Sequence, residues 1–282
     1  MDKIKINSVV VLNPHIHCMC ISYKLTRLYI ENYLFFIVSN PDLKIRTGIP
    51  GFDLIVDGGL KEGKTIVLSG ESGSGKSTFG MQFLHNGASD FEEPGIFVTL
   101  TQSPQELITD FEGYGWNIQK LIDEEKILII DARPFKMDDG MYESDLLCET
   151  EPFPFTHLTQ LILQGIKKIN AKRLVVDSLS VLSMQYGNQF NTRQGIQKMI
   201  HALDERKCTS IFISENVDSR TPPEWYAASG IVILNHVQKT NTMERSIQVI
   251  KMRGTKHSEQ TYPIRFNENG YHVLHPRLQT IS

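Results

Sequence analysis

The chain has 282 residues, 40% of them hydrophobic and 22% charged, a globular composition that excludes disorder as its main character. The length suffices for one large domain or two small ones. A net charge of -3 argues against a protein built to coat nucleic-acid phosphates.

Residues 1–44 are mildly basic and read as an N-terminal extension, with Lys3, Lys5, Lys24, Arg27 and Lys44 set against Asp2, Glu31 and Asp42. Val9–Leu12 and Cys20–Tyr23 look like short strand or hairpin pieces. The apolar run Tyr33–Val38 falls far short of the roughly 20 residues that cross a bilayer. Asn13-Pro14-His15 also interrupts the stretch that a secretory leader needs. The four cysteines, Cys18, Cys20, Cys148 and Cys208, are too scattered to staple a fold. A reducing, cytoplasmic setting is therefore expected. His15-Ile16-His17-Cys18-Met19-Cys20 contains metal-ligand types, but in a strand its histidines and cysteines face opposite sides. With no second ligand pair of suitable spacing, a metal site there is disfavoured.

From Arg46 onward the pattern becomes regular, and we expect one domain over 45–282. Thr65–Ser69, Gly95–Leu100, Ile127–Asp131, Arg173–Asp177 and Ser210–Ser214 are short apolar runs bounded by polar residues or glycine. Helical spacing lies between them, as in Ile196, Met199, Ile200 and Leu203. Strands alternating with helices predict an α/β fold with a mostly parallel central sheet flanked by helices. Ser103-Pro104-Gln105-Glu106 reads as a capping box with proline at the first helical position. Asp138–Glu151 is an acidic stretch that reads as a solvated loop. After Ser214 the runs Ile231–Leu234, Ser246–Ile250, Pro263–Phe266 and Tyr271–Leu274 leave no room for helices and predict an antiparallel C-terminal extension. Asp218–Thr221 with Pro222-Pro223 reads as a loop.

Gly70-Glu71-Ser72-Gly73-Ser74-Gly75-Lys76-Ser77-Thr78 fits the phosphate-binding pattern G-x-x-x-x-G-K-[ST], with a strand before it and a helix after it. Small residues allow backbone N–H groups to turn inward as an anion nest, and the helix N-terminus adds partial positive charge. Ser72, Gly73, Ser74, Gly75, Lys76, Ser77 and Thr78 are thus the expected contacts for a nucleoside triphosphate. Lys76 would reach the β- and γ-phosphates, and Ser77 would sit on Mg²⁺. Asp177, at the carboxyl end of its strand, is the expected second metal ligand.

Several further segments resemble the KaiC-like branch of the RecA-type ATPases over roughly residues 46–275. Thr47-Gly48-Ile49-Pro50-Gly51-Phe52-Asp53 with Gly58-Gly59-Leu60 and Glu62-Gly63 resembles that family's opening segment. Ser103–Leu107 through Gly115-Trp116 resembles its second strand-to-helix unit, and Asp177-Ser178-Leu179-Ser180 its Walker B segment. Lys251-Met252-Arg253-Gly254-Thr255-Lys256-His257-Ser258 resembles its KxRGTxHS stretch. The resemblance implies a RecA-like P-loop fold, bound ATP and Mg²⁺, and a homohexameric ring. It also implies that Lys251, Met252, Arg253, Thr255 and His257 reach the nucleotide held by the neighbouring subunit.

One position departs from that pattern. Where ATP-hydrolysing members carry two adjacent glutamates, this chain has Thr101-Gln102. An amide can orient water, but such sites are slow without help. Glu92-Glu93 lies at the amino end of its strand, away from the phosphates, whereas Glu71 and Glu215 remain possible substitutes. Lys76, with Gln102 and Thr101, is accordingly the expected catalytic set. The output expected is a slow ATPase or nucleotide-gated switch acting on a protein partner. A non-hydrolysing assembly module is the alternative. A recombinase-accessory ATPase on single-stranded DNA would need a basic groove with stacking aromatics, against which the charge balance speaks.

Overall fold

The structure is a computed structural model and describes residues 5–6, 9–10, 43–133, 155–186, 189–215, 222–239 and 242–276. Two units separate by their internal contacts, Met1–Leu43 and Lys44–Ser282. The first contributes the strands β1 (Lys5–Ile6) and β2 (Val9–Val10), paired antiparallel with Lys5 opposite Val10. The expected pieces at Cys20–Tyr23, the His15–Cys20 run, the acidic stretch 138–151 and the residues 218–221 lie outside the described residues.

The second unit opens with β3 (Lys44–Ile45), the short helix α1 (Phe52–Ile55) and β4 (Leu60–Lys61), which pairs with β3. β5 (Thr65–Gly70) leads into α2 (Lys76–Asp90), then β6 (Gly95–Thr99), α3 (Pro104–Glu112), α4 (Ile118–Asp123) and β7 (Ile127–Asp131). α5 (Phe155–Ile169), β8 (Arg173–Asp177), α6 (Leu179–Tyr186), α7 (Gln189–Glu205) and β9 (Thr209–Glu215) continue the alternation. The chain ends with α8 (Pro223–Ala227), β10 (Gly230–Lys239), β11 (Thr242–Met252), β12 (Thr261–Asn267) and β13 (Gly270–Val273).

A nine-stranded sheet runs in the order β13-β12-β11-β10-β5-β9-β8-β6-β7. From β10 to β7 neighbours are parallel, and from β10 out to β13 they are antiparallel. The architecture is the expected α/β fold, with one difference of detail. Ile231–Leu234 is itself part of the parallel block, paired with Val67–Gly70 of β5, and only its other edge faces the antiparallel strands. α8 lies in the connection between β9 and β10, the two strands that flank β5.

Period-two alternation builds a core on each face. On one face Phe97, Val175, Ile211 and Ile213 pack with Phe79, Phe83 and Leu84 of α2. On the other, Ile96, Val98, Leu174, Val176 and Phe212 pack with Leu158 and Ile162 of α5 and Ile196, Met199 and Leu203 of α7. The α3 cap forms as its sequence predicts: Ser103 Oγ accepts from Glu106 N at 3.2 Å, and Glu106 Oε2 accepts from Ser103 N at 2.7 Å. Among the described residues no helix is long and apolar enough to cross a membrane.

Candidate functional site

The carboxyl ends of β5, β8 and β9 open into one cleft of about 580 Å³. β5 delivers the loop. Its last step into α2 passes through Gly75, whose φ of +95° is left-handed backbone that disfavours a side chain. Space forbids one too, since an added Cβ would lie 2.4 Å from the Phe266 ring. Glycine at 75 therefore lets the loop turn under an aromatic ring and start the helix at Lys76.

Lys76 is buried, 7% exposed, and its Nζ donates to the carbonyls of Gly70 at 3.0 Å and Glu71 at 2.8 Å. Burial lowers its pKa, and the nearby carboxylates of Glu215, Asp177 and Glu71 counter that in decreasing order. Ser77 Oγ donates to Asp177 Oδ2 at 2.5 Å. Asp177 ends β8 at 6% exposure, and burial raises its pKa, with Ser77 and Lys76 pulling it back down. A buried carboxylate that burial pushes toward protonation gains from a cation beside it. The hydroxyl of Ser77 and the carboxylate of Asp177 are hard oxygen donors of the kind Mg²⁺ takes alongside water and phosphate oxygens. No group of three or more histidine, cysteine or acidic side chains gathers elsewhere among the described residues. Ser74 Oγ is buried in the loop without a hydrogen-bond partner among the described residues.

Ser72, Gly73, Gly75, Lys76, Ser77, Thr78, Thr101 and Asp177 all line the cleft. Ser74, fully buried, does not. Gln102 stands apart as well: its Nε2 donates to Asp110 Oδ2 at 3.0 Å, and its backbone N–H and C=O both engage Thr99 Oγ1. The side chain is thereby directed onto α3.

The Lys251–His257 segment does not line this cleft either. Lys251 Nζ donates to Trp225 O at 3.0 Å and Ala228 O at 2.7 Å, around the end of α8. Burial lowers the Lys251 pKa, and the Arg253 charge lowers it further. Met252 is buried in the core, and Arg253 is exposed with its N–H donating to Ser229 O at 2.8 Å. Thr255 Oγ1 is buried without a partner among the described residues, and His257 Nδ1 lies 3.2 Å from Ser258 O.

Sequence reasoning leaves out Tyr114, Ser178, Arg245 and Phe266, which complete the cleft lining with Glu215. The Arg245 guanidinium sits over the Phe266 ring, 5.2 Å from its centroid, and reaches Gly73 O at 3.4 Å. In sequence Phe266 is one apolar position of an alternating strand and Tyr114 one residue of a turn. Neither carries a signal that separates lining from core.

Residues 45–277 match the family model described as "ATPase: KaiC". The chain is 33% identical over 236 residues to the circadian clock oscillator protein KaiC of Parasynechococcus marenigrum and 37% identical to that of Thermostichus vulcanus. Each match takes in 82% of this chain and 44% of the relative, so the chain spans less than half the length of these curated relatives. The crystal structure of a KaiC-like protein from the hyperthermophilic archaeon Pyrococcus horikoshii OT3 superposes with a TM-score of 0.71 at 32% identity. That likeness covers 83% of this chain and 100% of the archaeal one.

Proposed function

The chain belongs to the KaiC family of ATPases, and on that footing we propose that it binds Mg-ATP in the β5–β8–β9 cleft and turns it over slowly as a switch for a protein partner. One observation carries the reading: Ser77 Oγ and Asp177 Oδ2 meet at 2.5 Å in the same cleft that Lys76 lines. The loop amides and Lys76 would hold the triphosphate, with Ser77 and Asp177 holding the metal. Bound Mg²⁺ supplies charge neutralisation across the phosphate oxygens. Tyr114 and Phe266 give the cleft an aromatic side suited to a purine ring, and Arg245 adds a cation against the phosphates. A ring would bring Lys251, Arg253, Thr255 and His257 to the nucleotide of the adjacent copy, where cations stabilise charge on the γ-phosphate.

A second reading, a non-hydrolysing assembly module, draws on the engagement of Gln102 with Asp110 outside the cleft. Both readings share nucleotide binding. The test is fluorescent ATP-analogue binding with and without Mg²⁺, beside ATP turnover and oligomer size by light scattering, with Lys76→Ala as the blank. Binding that Lys76→Ala retains unchanged would overturn both. Magnesium-dependent binding and an ATP-dependent ring with no turnover above the blank would select the second.

A further inference from the structure

We propose that Glu215 is the carboxylate that orients the attacking water and takes its proton when ATP is hydrolysed in this cleft. The proposal rests on the nucleotide reading above and assigns its chemical step to a residue.

Attack on a γ-phosphate needs an acceptor for the water proton, placed on the cleft wall and not already engaged. Among the described residues, Asp177 and Glu215 are the two carboxylates that line the cleft. Asp177 is engaged, buried and bonded to Ser77 Oγ at 2.5 Å. Gln102 is directed onto Asp110, and Thr101, although it lines the cleft, offers a hydroxyl that is no base at neutral pH. Glu215 is left, and its placement fits the task. It is the last residue of β9, the strand next to β5, and its Cα is the register partner of Gly70, the first residue of the loop. Its own N–H donates to Ser180 Oγ at 2.8 Å, fixing the backbone from which the side chain projects. The side chain is exposed and has no hydrogen-bond partner among the described residues. It lines the same cleft as Lys76, the group that would meet the terminal phosphate, and its charge acts on that ammonium.

The step balances without a redox partner. The water oxygen bonds to the γ-phosphorus as the bond from that phosphorus to the β,γ-bridging oxygen breaks. ADP leaves with the electron pair, and the water proton passes to a Glu215 carboxylate oxygen and from there to solvent. Glu215 is legible in sequence only as a strand-ending acid; its register opposite Gly70 is what sets it apart from Glu71.

Turnover and ATP-analogue binding of wild type, Glu215→Gln, Glu215→Asp and Lys76→Ala test the assignment. Glu215→Gln should lower kcat about 100-fold or more, the usual worth of a positioned base, with the Mg-ATP Kd within about threefold of wild type. Glu215→Asp should fall between the two. A Glu215→Gln kcat within about threefold of wild type, or a Kd loss as large as the kcat loss, overturns the assignment. Wild type that binds Mg-ATP with no turnover above Lys76→Ala also overturns it while leaving the binding reading standing. Wild type that fails to bind ends that reading as well. If Glu215→Gln loses its fold by circular dichroism, the same kcat-against-Kd comparison on Glu215→Asp decides.

Discussion

Arg173 and Glu93 meet at the amino end of the sheet: Arg173 Nε donates to Glu93 Oε2 at 2.7 Å, and Nη2 lies 2.6 Å from the same oxygen. The guanidinium is fully buried between the Phe83 and Phe91 rings, and its remaining donors reach Phe83 O and Arg46 O, each at 2.7 Å. Gly87 makes room for it, because a Cβ there would lie 2.4 Å from Arg173 Cδ. The Glu92-Glu93 pair thus belongs to the fold: Glu93 neutralises a buried cation that fastens Arg46 to the sheet.

Removing Glu93 takes the hydrogen-bonded carboxylate away from a fully buried guanidinium. Glu93→Ala should cost about 3 kcal/mol, lowering the melting temperature by roughly 6–12 °C in a chain of this size. ATP-analogue affinity of the surviving folded protein should not change, since the pair lies at the opposite end of the sheet. A melting temperature within 2 °C of wild type, a shift near the lower limit for roughly 1 kcal/mol, would refute the role.

Glu224 gives a pH dependence whose sign is fixed by its surroundings. It is 2% exposed, accepts from Ser214 Oγ, and has its second oxygen buried without a partner among the described residues. Burial raises its pKa above the ordinary 4.5. A carboxyl whose folded pKa is raised holds its proton better in the native state, so stability is full below pH 4.5 and falls as pH climbs toward the raised value. Glu224→Gln should remove that decline. Melting temperatures of the two proteins from pH 4 to pH 8 should therefore diverge in favour of the variant, and parallel curves would exclude the effect.

Asp177→Asn keeps the shape of the carboxylate and removes its charge. With Mg²⁺ present, the ATP-analogue Kd should rise about 10- to 100-fold, the usual range for altering a metal's surroundings. In excess EDTA the two proteins should bind alike. Equal loss in both conditions would mean that Asp177 serves the loop and not a metal.

Arg253 is exposed, so its replacement should leave the monomer intact. Arg253→Ala is expected to melt within about 1 °C of wild type, as surface substitutions do. It should also lower ATP turnover per chain and weaken ATP-dependent assembly measured by light scattering. Unchanged turnover in a fully assembled ring would remove Arg253 from the nucleotide's surroundings.

Much of this was legible in the residues themselves. The strands that end at Asp131 and Asp177, and the helix that begins at Lys76, follow from apolar runs and one loop pattern, because local chemistry determines both. Ile231–Leu234 was half legible: its apolar character marks a strand, but β5 as its parallel neighbour depends on a pairing more than 160 residues away in sequence. The remaining cleft walls were not legible for the same reason. Tyr114, Glu215, Arg245 and Phe266 come from separate elements and meet only after the sheet has formed. Gln102 shows the converse, since its place just after β6 gave no warning that Asp110 would hold its amide.

β10 has one further consequence. It carries β5 on one side and β11 on the other, with Leu234 opposite Gly70 and Gly230 opposite Met252. The phosphate loop therefore leaves the sheet level with Leu234, midway along β10, and the Arg253 turn leaves it beside Gly230 at the start of that strand. Lys251 stands level with Val67, roughly 10 Å short of Gly70 at the usual rise of a strand. If a site needs both the loop and the Arg253 turn, no copy can complete its own. Two copies joined head to tail then make one whole site and leave an unmatched half on each, and any open string has the same deficit at its ends. Only closure gives every chain a complete site, so occupancy per chain in a titration would count the open ends of the assembly directly.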